Sequence, residues 1–86
     1  MHVLAISTVS HPDEFWGSLK KAYSRLPQGS MWLLAVASTD GTKAVNVIVH
    51  DSIYNIRNLF EEYVAPFGTT EYFEVDATNA VGLMNP

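Results

Sequence analysis

The segment that most constrains the fold is residues 31–38 (MWLLAVAS), an almost unbroken run of apolar residues. A short run of this kind, bounded by turn residues, is typical of a β-strand buried on both faces. Asp40 and Gly41 follow it and favour a hairpin, because glycine accepts the positive φ that a tight turn requires. Residues 43–50 (KAVNVIVH) then form the return strand. The sequence therefore predicts a central hairpin with apolar side chains on both faces.

One strand and one helix precede this hairpin, and one of each follows it. Residues 2–9 (HVLAISTV) are rich in β-branched side chains and predict the first strand, whereas residues 71–77 (EYFEVDA) alternate and predict the last. Helices are predicted after Ser10 and after Ser52, since a serine can accept a hydrogen bond from a free N–H group of the first turn. The apolar residues at helical spacing are Phe15, Leu19, Ala22 and Leu26 in the first helix, and Ile53, Ile56, Leu59, Phe60, Tyr63, Val64 and Phe67 in the second.

The resulting order is β-α-β-β-α-β. Right-handed crossovers then favour an α+β fold, the ferredoxin-like plait, in which a four-stranded antiparallel sheet carries both helices on one face. Two helices cover only one face, yet the first two strands offer apolar groups to both, so we expect a second copy to cover the other face. Residues 1–86 are expected to form a single ferredoxin-like domain, with residues 78–86 as a C-terminal tail that packs on the partner subunit.

The β-α-β-β-α-β order, the length of 86 residues and the Asp40-Gly41 hairpin resemble the dimeric α+β-barrel superfamily of ferredoxin-like proteins. This resemblance covers nearly the whole chain and rests on topology and pattern. It implies a homodimer in which two sheets pair face to face as a barrel. The superfamily includes cofactor-free monooxygenases, haem-degrading enzymes, muconolactone-isomerase-like proteins and stress-response proteins, so membership leaves the chemistry open.

The composition argues against several classes of partner and location. The net charge is −4 with only five Lys and Arg residues, which disfavours nucleic acid and anionic membrane surfaces. No apolar run approaches the roughly 18 residues of a transmembrane helix. The N-terminus lacks the basic start and long apolar stretch of a signal peptide, so a cytoplasmic location is expected.

Neither a cofactor nor a metal site is predicted. The chain has no cysteine, which removes disulfides, thiolate nucleophiles and cysteine-ligated metals. The three histidines, His2, His11 and His50, fall at no spacing that would join them locally, so a site built from His, Asp and Glu across a dimer is the open alternative. No glycine-rich phosphate loop or nucleophile elbow is present.

The best candidate site combines polar and aromatic side chains of the strands. If Val45, Val47, Val49, Phe73 and Val75 face the helices, the opposite face carries the polar members of the same strands. A histidine near a carboxylate can act as a general base, and Trp, Tyr and Asn side chains can orient a planar substrate. The candidate catalytic residues are His50, Asn46 and Tyr72; the candidate ligand-binding residues are Trp32, Asn46, His50, Tyr72 and Glu74, with Asp76 and either His2 or Thr8 beside them.

Each of these residues also has a structural interpretation. Polar residues of an edge strand commonly contact only water. Asparagine is depleted in strands, and a contact across the two-fold axis of a dimer would satisfy the hydrogen bonds of a buried Asn46 as well as a ligand would. Asp51 and Ser52 are typical of a helix cap, with an anion held at that helix start as the functional alternative. The aromatic residues of the helices are typical of a core, and the functional alternative is a pocket between helices and sheet, lined by some of them, that binds an apolar ligand. These residues are Phe15, Trp16, Tyr23, Phe60, Tyr63 and Phe67.

The sequence therefore leaves two hypotheses for the function. The first is a non-catalytic homodimer that binds a small apolar ligand or a protein partner, which agrees with the low charge, the two-faced sheet and the lack of a catalytic motif. The second is a cofactor-independent monooxygenase or isomerase acting on an aromatic or polycyclic small molecule. A ligand-sensing regulatory domain is less favoured, because the 86 residues contain no effector part.

Overall fold

The computed structural model describes residues 1–83 and confirms the predicted order of elements. No helix in that part of the chain is long and apolar enough to cross a membrane. Two short 3₁₀ turns, at Ala65–Phe67 and Ala77–Asn79, flank the last strand. The strands and helices are β1 (His2–Val9), α1 (Pro12–Ser24), β2 (Met31–Ala37), β3 (Lys43–Val49), α2 (Ile53–Tyr63) and β4 (Gly68–Glu74).

The four strands form one antiparallel sheet in the order β2-β3-β1-β4. This order, with both helices packed on one face, is the ferredoxin-like α+β plait that the sequence predicts. β4 starts and ends three residues before the predicted range of 71–77. It ends there because the Asp76 carboxylate accepts a hydrogen bond from the backbone N–H of Thr78 and starts a 3₁₀ turn. β2 and β4 are the two edge strands.

The core lies between the sheet and the two helices. Phe15 of α1 and Phe60 of α2 are fully buried there against Val3 and Ile48, which pair across β1 and β3. Each fully buried side chain of this size contributes about 1.5–3 kcal/mol to folding. The two phenylalanine rings and the branched side chains of the central strands therefore hold the helices against the sheet.

The valines of β3 face away from the helices, so the predicted orientation of this strand is wrong. Ala44 and Ile48 belong to the core cluster, and Asn46 lies between them on the same side of the strand. Because side chains alternate along a strand, Val45 and Val47 must take the opposite face. Val49 and, on β4, Phe73 lie on that face too; Val75 lies just beyond β4.

The face without helices is apolar in its middle and carries Thr8, Lys43 and Glu71 towards one end, and we refer to it as the open face. Its edge residues Met31, Val36 and Phe73 are 44–46% exposed. An apolar surface of this extent on a monomer commonly marks an interaction site. The apolar residues of the open face are Leu4, Ile6, Met31, Leu34, Val36, Val45, Val47, Val49 and Phe73.

The two helix starts differ in how they are capped. Ser52 caps α2 as predicted, with its side chain accepting a hydrogen bond from the Asn55 backbone N–H at 3.3 Å. At α1 the prediction is wrong, because His11 occupies the cap position and makes no side-chain cap bond. The backbone N–H groups of Ser10 and His11 both donate to the Phe67 carbonyl oxygen. These two hydrogen bonds hold Ser10 and His11 against the 3₁₀ turn, and the cap of α1 is His11, one residue after the predicted Ser10.

Gly68 lies close to a neighbouring backbone and Gly17 does not, so replacing each by alanine should change the free energy of unfolding in opposite directions. A Cβ atom at Gly68 would lie 2.7 Å from the Thr8 carbonyl oxygen on the paired strand, whereas a Cβ at Gly17 in α1 would meet nothing within 4 Å. We expect Gly68→Ala to lower the free energy of unfolding by about 1–3 kcal/mol. Gly17→Ala should raise it by up to about 1 kcal/mol, since alanine is the better helix former. Urea unfolding measures both, and effects of the same sign would contradict this account.

Candidate functional site

A groove with mostly apolar walls lies between α1 and β2, and we call it the α1–β2 groove. It exists because the helices do not cover the edge strand: Ala35 and Ala37 lie on the helix side of β2 but are exposed. Its volume is about 260 Å³. The lining residues are Trp16, Leu19, Lys20 and Tyr23 of α1, with Trp32, Leu33, Leu34 and Ala35 of β2.

A β-bulge shapes the strand side of this groove. Trp32 pairs with Ile48 and Leu34 pairs with Val47, so Leu33 is an extra residue without a partner on β3. A bulge interrupts the alternation of side chains and twists the strand locally. This irregularity places consecutive apolar residues of β2 along the groove.

A row of aromatic rings connects the groove to the far edge of the sheet. The ring centroids of Tyr23 and Trp32 are 5.7 Å apart, as are those of Trp32 and Phe60. Phe60 then meets Tyr72 of β4 edge to face at 6.0 Å. Aromatic pairs at such distances are worth about 0.5–1.5 kcal/mol beyond the area they bury. Trp32 is thus held on one side by the core and contributes its other side to the groove.

Asn46 lies beside the groove as a buried polar residue. It is fully buried, and its Oδ1 accepts a hydrogen bond from Trp32 Nε1 at 3.1 Å. An indole N–H only donates, so this bond fixes which end of the amide faces Trp32. The Asn46 Nδ2 group has no hydrogen-bond partner among residues 1–83. A buried donor left unpaired costs about 1–3 kcal/mol. Ala35, the neighbour of Asn46 on β2, lines the groove.

His50 is buried at the end of β3 and is engaged by neighbouring residues. Its Nδ1 lies 2.9 Å from Ser30 Oγ, and its Nε2 lies 3.2 Å from Asn55 Nδ2. Its backbone carbonyl accepts a hydrogen bond from the amino group of Met1 at 2.9 Å. Asp51 Oδ1 lies 3.4 Å from Nδ1, with the carboxylate exposed. These contacts brace the loop before α2 and leave neither ring nitrogen free for a substrate.

Tyr72 and Glu74 lie on β4, two strands away from Asn46. Tyr72 is half-buried against Phe60, and burial, followed by the negative charge of Glu61, raises its pKa to about 12. Glu74 is exposed at the sheet edge. Two strand spacings amount to about 10 Å, which is too far for Tyr72 and Asn46 to act on the same atom.

The sheet itself divides the predicted group of site residues. Trp32, Asn46, Tyr72 and Glu74 lie on the helix side, not on the open face where they were predicted. His2 and Thr8 lie on the open side, and Thr8 Oγ1 accepts a hydrogen bond from Lys43 Nζ at 2.7 Å. His50 follows Asn46 by four residues, or about 13 Å along a strand. Asp76, predicted beside them, instead uses its carboxylate to accept hydrogen bonds from Thr78 and Asn79. Of the predicted site residues, Trp32 and Asn46 are brought together by a hydrogen bond.

Sequence reasoning left open a pocket lined by helical aromatic residues but did not identify which of them, or Lys20, would line it. Trp16 and Tyr23 are seven residues apart on α1 and therefore lie on one side of the helix, two turns apart. Trp16 follows the buried Phe15 directly, and Tyr23 follows the buried Ala22. This repeated pairing of a buried residue with an aromatic neighbour was the signal that an edge of the helix would face a groove.

Residues 1–83 contain no group of three or more His, Asp or Glu side chains placed to hold a metal ion. A scan against protein-family models matched no family. Searches of curated proteins and of solved structures also found no protein similar to this chain.

The raised pKa of Tyr72 predicts a loss of stability at alkaline pH. Its pKa of about 12 in the folded protein exceeds the ordinary tyrosine pKa of 10.0. The contribution of protonated Tyr72 to stability is therefore complete below about pH 10 and is lost as the pH rises through about 12. We expect Tyr72→Phe to flatten the decline of the unfolding free energy over this range. Tyr54→Phe, on the exposed side of α2, is the matched control; an identical slope in Tyr72→Phe and wild type would contradict the assignment.

Proposed function

We propose that this chain is a homodimeric binding protein that holds a small, planar, apolar molecule in the α1–β2 groove and joins its partner through the open face. The observation that carries the proposal is the groove lined by Trp16, Tyr23 and Trp32. Flat aromatic walls favour a flat ligand, because stacked and edge-on ring contacts need a planar partner.

The dimensions of the groove support a small ligand. Its volume of about 260 Å³ lies below the roughly 300–1,000 Å³ typical of sites for drug-sized molecules. Lys20 is the only charged residue among the lining side chains. A ligand of one or two fused rings would contact both the α1 and the β2 side.

The homodimer is supported by the apolar open face. No acidic or basic residue lies between Leu4, Val47 and Leu34 in the middle of this face. Strands about 4.8 Å apart and seven residues long give a face of roughly 20 Å by 23 Å, or about 450 Å² in projection. A standard interface buries about 800 Å² per partner, so a stable dimer needs a further contribution. Val81, fully exposed in the C-terminal segment, is apolar surface of the kind that would extend the contact.

A monooxygenase or isomerase activity gains no support from the site. The candidate catalytic residues His50, Asn46 and Tyr72 do not converge, and His50 is engaged by Ser30 and Asn55. General acid–base catalysis requires the base within hydrogen-bond reach of the reacting proton. Binding without chemistry is the function that the geometry of the groove supports best.

Tryptophan fluorescence tests the ligand part of the proposal, because both tryptophans of the chain line the groove. Titration with a neutral bicyclic probe, 2-naphthalenemethanol, should change the emission saturably. Ala35→Leu would fill the groove and should weaken binding at least about tenfold, through steric exclusion of the probe. Ala37→Leu is the matched control, since Ala37 is exposed on the same side of the same strand but outside the groove. Quenching that does not saturate, or equal affinity of Ala35→Leu and Ala37→Leu for the probe, would contradict the assignment of the ligand site to the groove.

Light scattering tests the homodimer. At micromolar concentration we expect a mass of twice the 9.5 kDa of one chain. Val36→Glu would place a charge on the open face and should give a monomer, because burying an unpaired carboxylate is costly. Tyr54→Glu, at a position 70% exposed on α2, should leave the dimer intact. A wild-type protein that is monomeric under these conditions would remove this part of the proposal.

A further inference from the structure

We infer that the α1–β2 groove selects a planar aromatic anion, an arenecarboxylate or similar acid, whose charge lies against the ammonium group of Lys20. This inference rests on the proposed function and specifies the chemical class of the ligand. Three observations carry it: the distribution of charge around the groove, the unpaired state of Lys20, and the hydrogen-bonding character of the lining side chains.

The groove is a locally basic region of an acidic chain. The net charge is −4 with five basic residues. Three of these five, Lys20, Lys21 and Arg25, lie within six consecutive positions at the end of α1. No acidic residue lines the groove, and β2 carries no charged residue at all. The local field therefore favours an anion in a protein that elsewhere repels one.

Lys20 has no ion-pair or hydrogen-bond partner among the described residues, in contrast to Lys43, whose ammonium group donates to Thr8 Oγ1. It is exposed at the rim while its neighbours Trp16 and Tyr23 contribute aromatic surface. An aromatic ring inserted between those side chains would carry a carboxylate substituent towards the rim. The apolar walls exclude water from one side of the resulting ion pair, which strengthens it relative to a pair in open solvent.

The lining side chains offer hydrogen-bond donors and almost no acceptors. Trp16 and Lys20 carry N–H groups and no acceptor, and the single N–H of Trp32 already donates to Asn46 Oδ1. The hydroxyl of Tyr23 is the only lining side-chain group that can accept. A carboxylate only accepts hydrogen bonds, which matches this set, whereas an ammonium ligand would find a single hydroxyl.

The basic residues also have a structural interpretation, which the experiment must separate from ligand binding. Cations near the C-terminus of a helix stabilise it by interacting with the partial negative charge of its last turn. That role predicts effects of Lys20 and Lys21 on stability with no dependence on a ligand. It predicts no difference between anionic and neutral molecules in their affinity for the groove.

The test compares three probes with the same ring system: 2-naphthoate, 2-naphthalenemethanol and 2-naphthylmethylammonium. Their affinities for the wild-type protein are measured by tryptophan fluorescence and by equilibrium dialysis. We expect 2-naphthoate to bind about fivefold more tightly than the neutral alcohol, and the ammonium compound to bind most weakly. Raising the ionic strength from about 0.01 M to about 1 M should remove the preference for 2-naphthoate and leave binding of the alcohol unchanged.

Lys20→Met keeps most of the length and apolar stem of the side chain and removes its charge. It should bind 2-naphthoate and the alcohol with equal affinity, so that the preference for 2-naphthoate is lost. Lys21→Met is the matched control and should retain that preference, because Lys21 does not line the groove. An equal loss in the two variants would contradict the assignment to Lys20.

The outcomes also distinguish this inference from the proposed function. Equal affinity of all three probes in the wild-type protein would overturn the selection of anions while the ligand-binding groove stands. Failure of every probe to bind would overturn the groove itself as a ligand site.

Discussion

The pairing of β1 with β3 decides which side of every strand meets the helices. It sets Val3 opposite Ile48 and Ala5 opposite Asn46, and all four are fully buried on the helix side. A shift of one residue would turn each side chain of a strand to the other face, so this register also determines that the valines of β3 form the open face. The rings of Phe15 and Phe60 pack on the pairs that this register presents. Both the core and the apolar open face therefore follow from the register of the β1–β3 pairing.

The Trp32–Asn46 hydrogen bond joins the core to the α1–β2 groove. One ring neighbour of Trp32 is Phe60 in the core and the other is Tyr23 at the groove. Asn46 orients the indole through its Oδ1, and the aromatic row limits how far the ring can move. A side chain held from both sides is preorganised for a ligand, which lowers the entropy lost on binding. The unpaired Nδ2 of Asn46 is the cost of placing an amide where most strands carry an apolar residue.

Local sequence signals predicted the secondary-structure elements well. They did not predict features that depend on contacts between residues distant in sequence. Ser52 caps α2 because a cap is a contact between neighbours in sequence, and the Asp40-Gly41 turn depends on the φ of 78° that Gly41 adopts. The facing of β3 could not be predicted in this way. Valines alternate with Ala44, Asn46 and Ile48, so hydrophobicity scarcely distinguishes the two sides of the strand. The helix side was decided by which residues fit beneath Phe15 and Phe60.

The sequence by itself determined the β-α-β-β-α-β order and an excess of apolar strand surface over what two helices can cover, because period, turn chemistry and composition are properties of the chain. Tertiary structure alone decided where that excess lies and which polar residues meet. The register buried Asn46 beneath the helices, and the bulge at Leu33 with the uncovered edge of β2 opened the groove. Trp16, Lys20 and Tyr23 reach that groove through packing of α1 against the sheet, which depends on long-range contacts that no local pattern encodes.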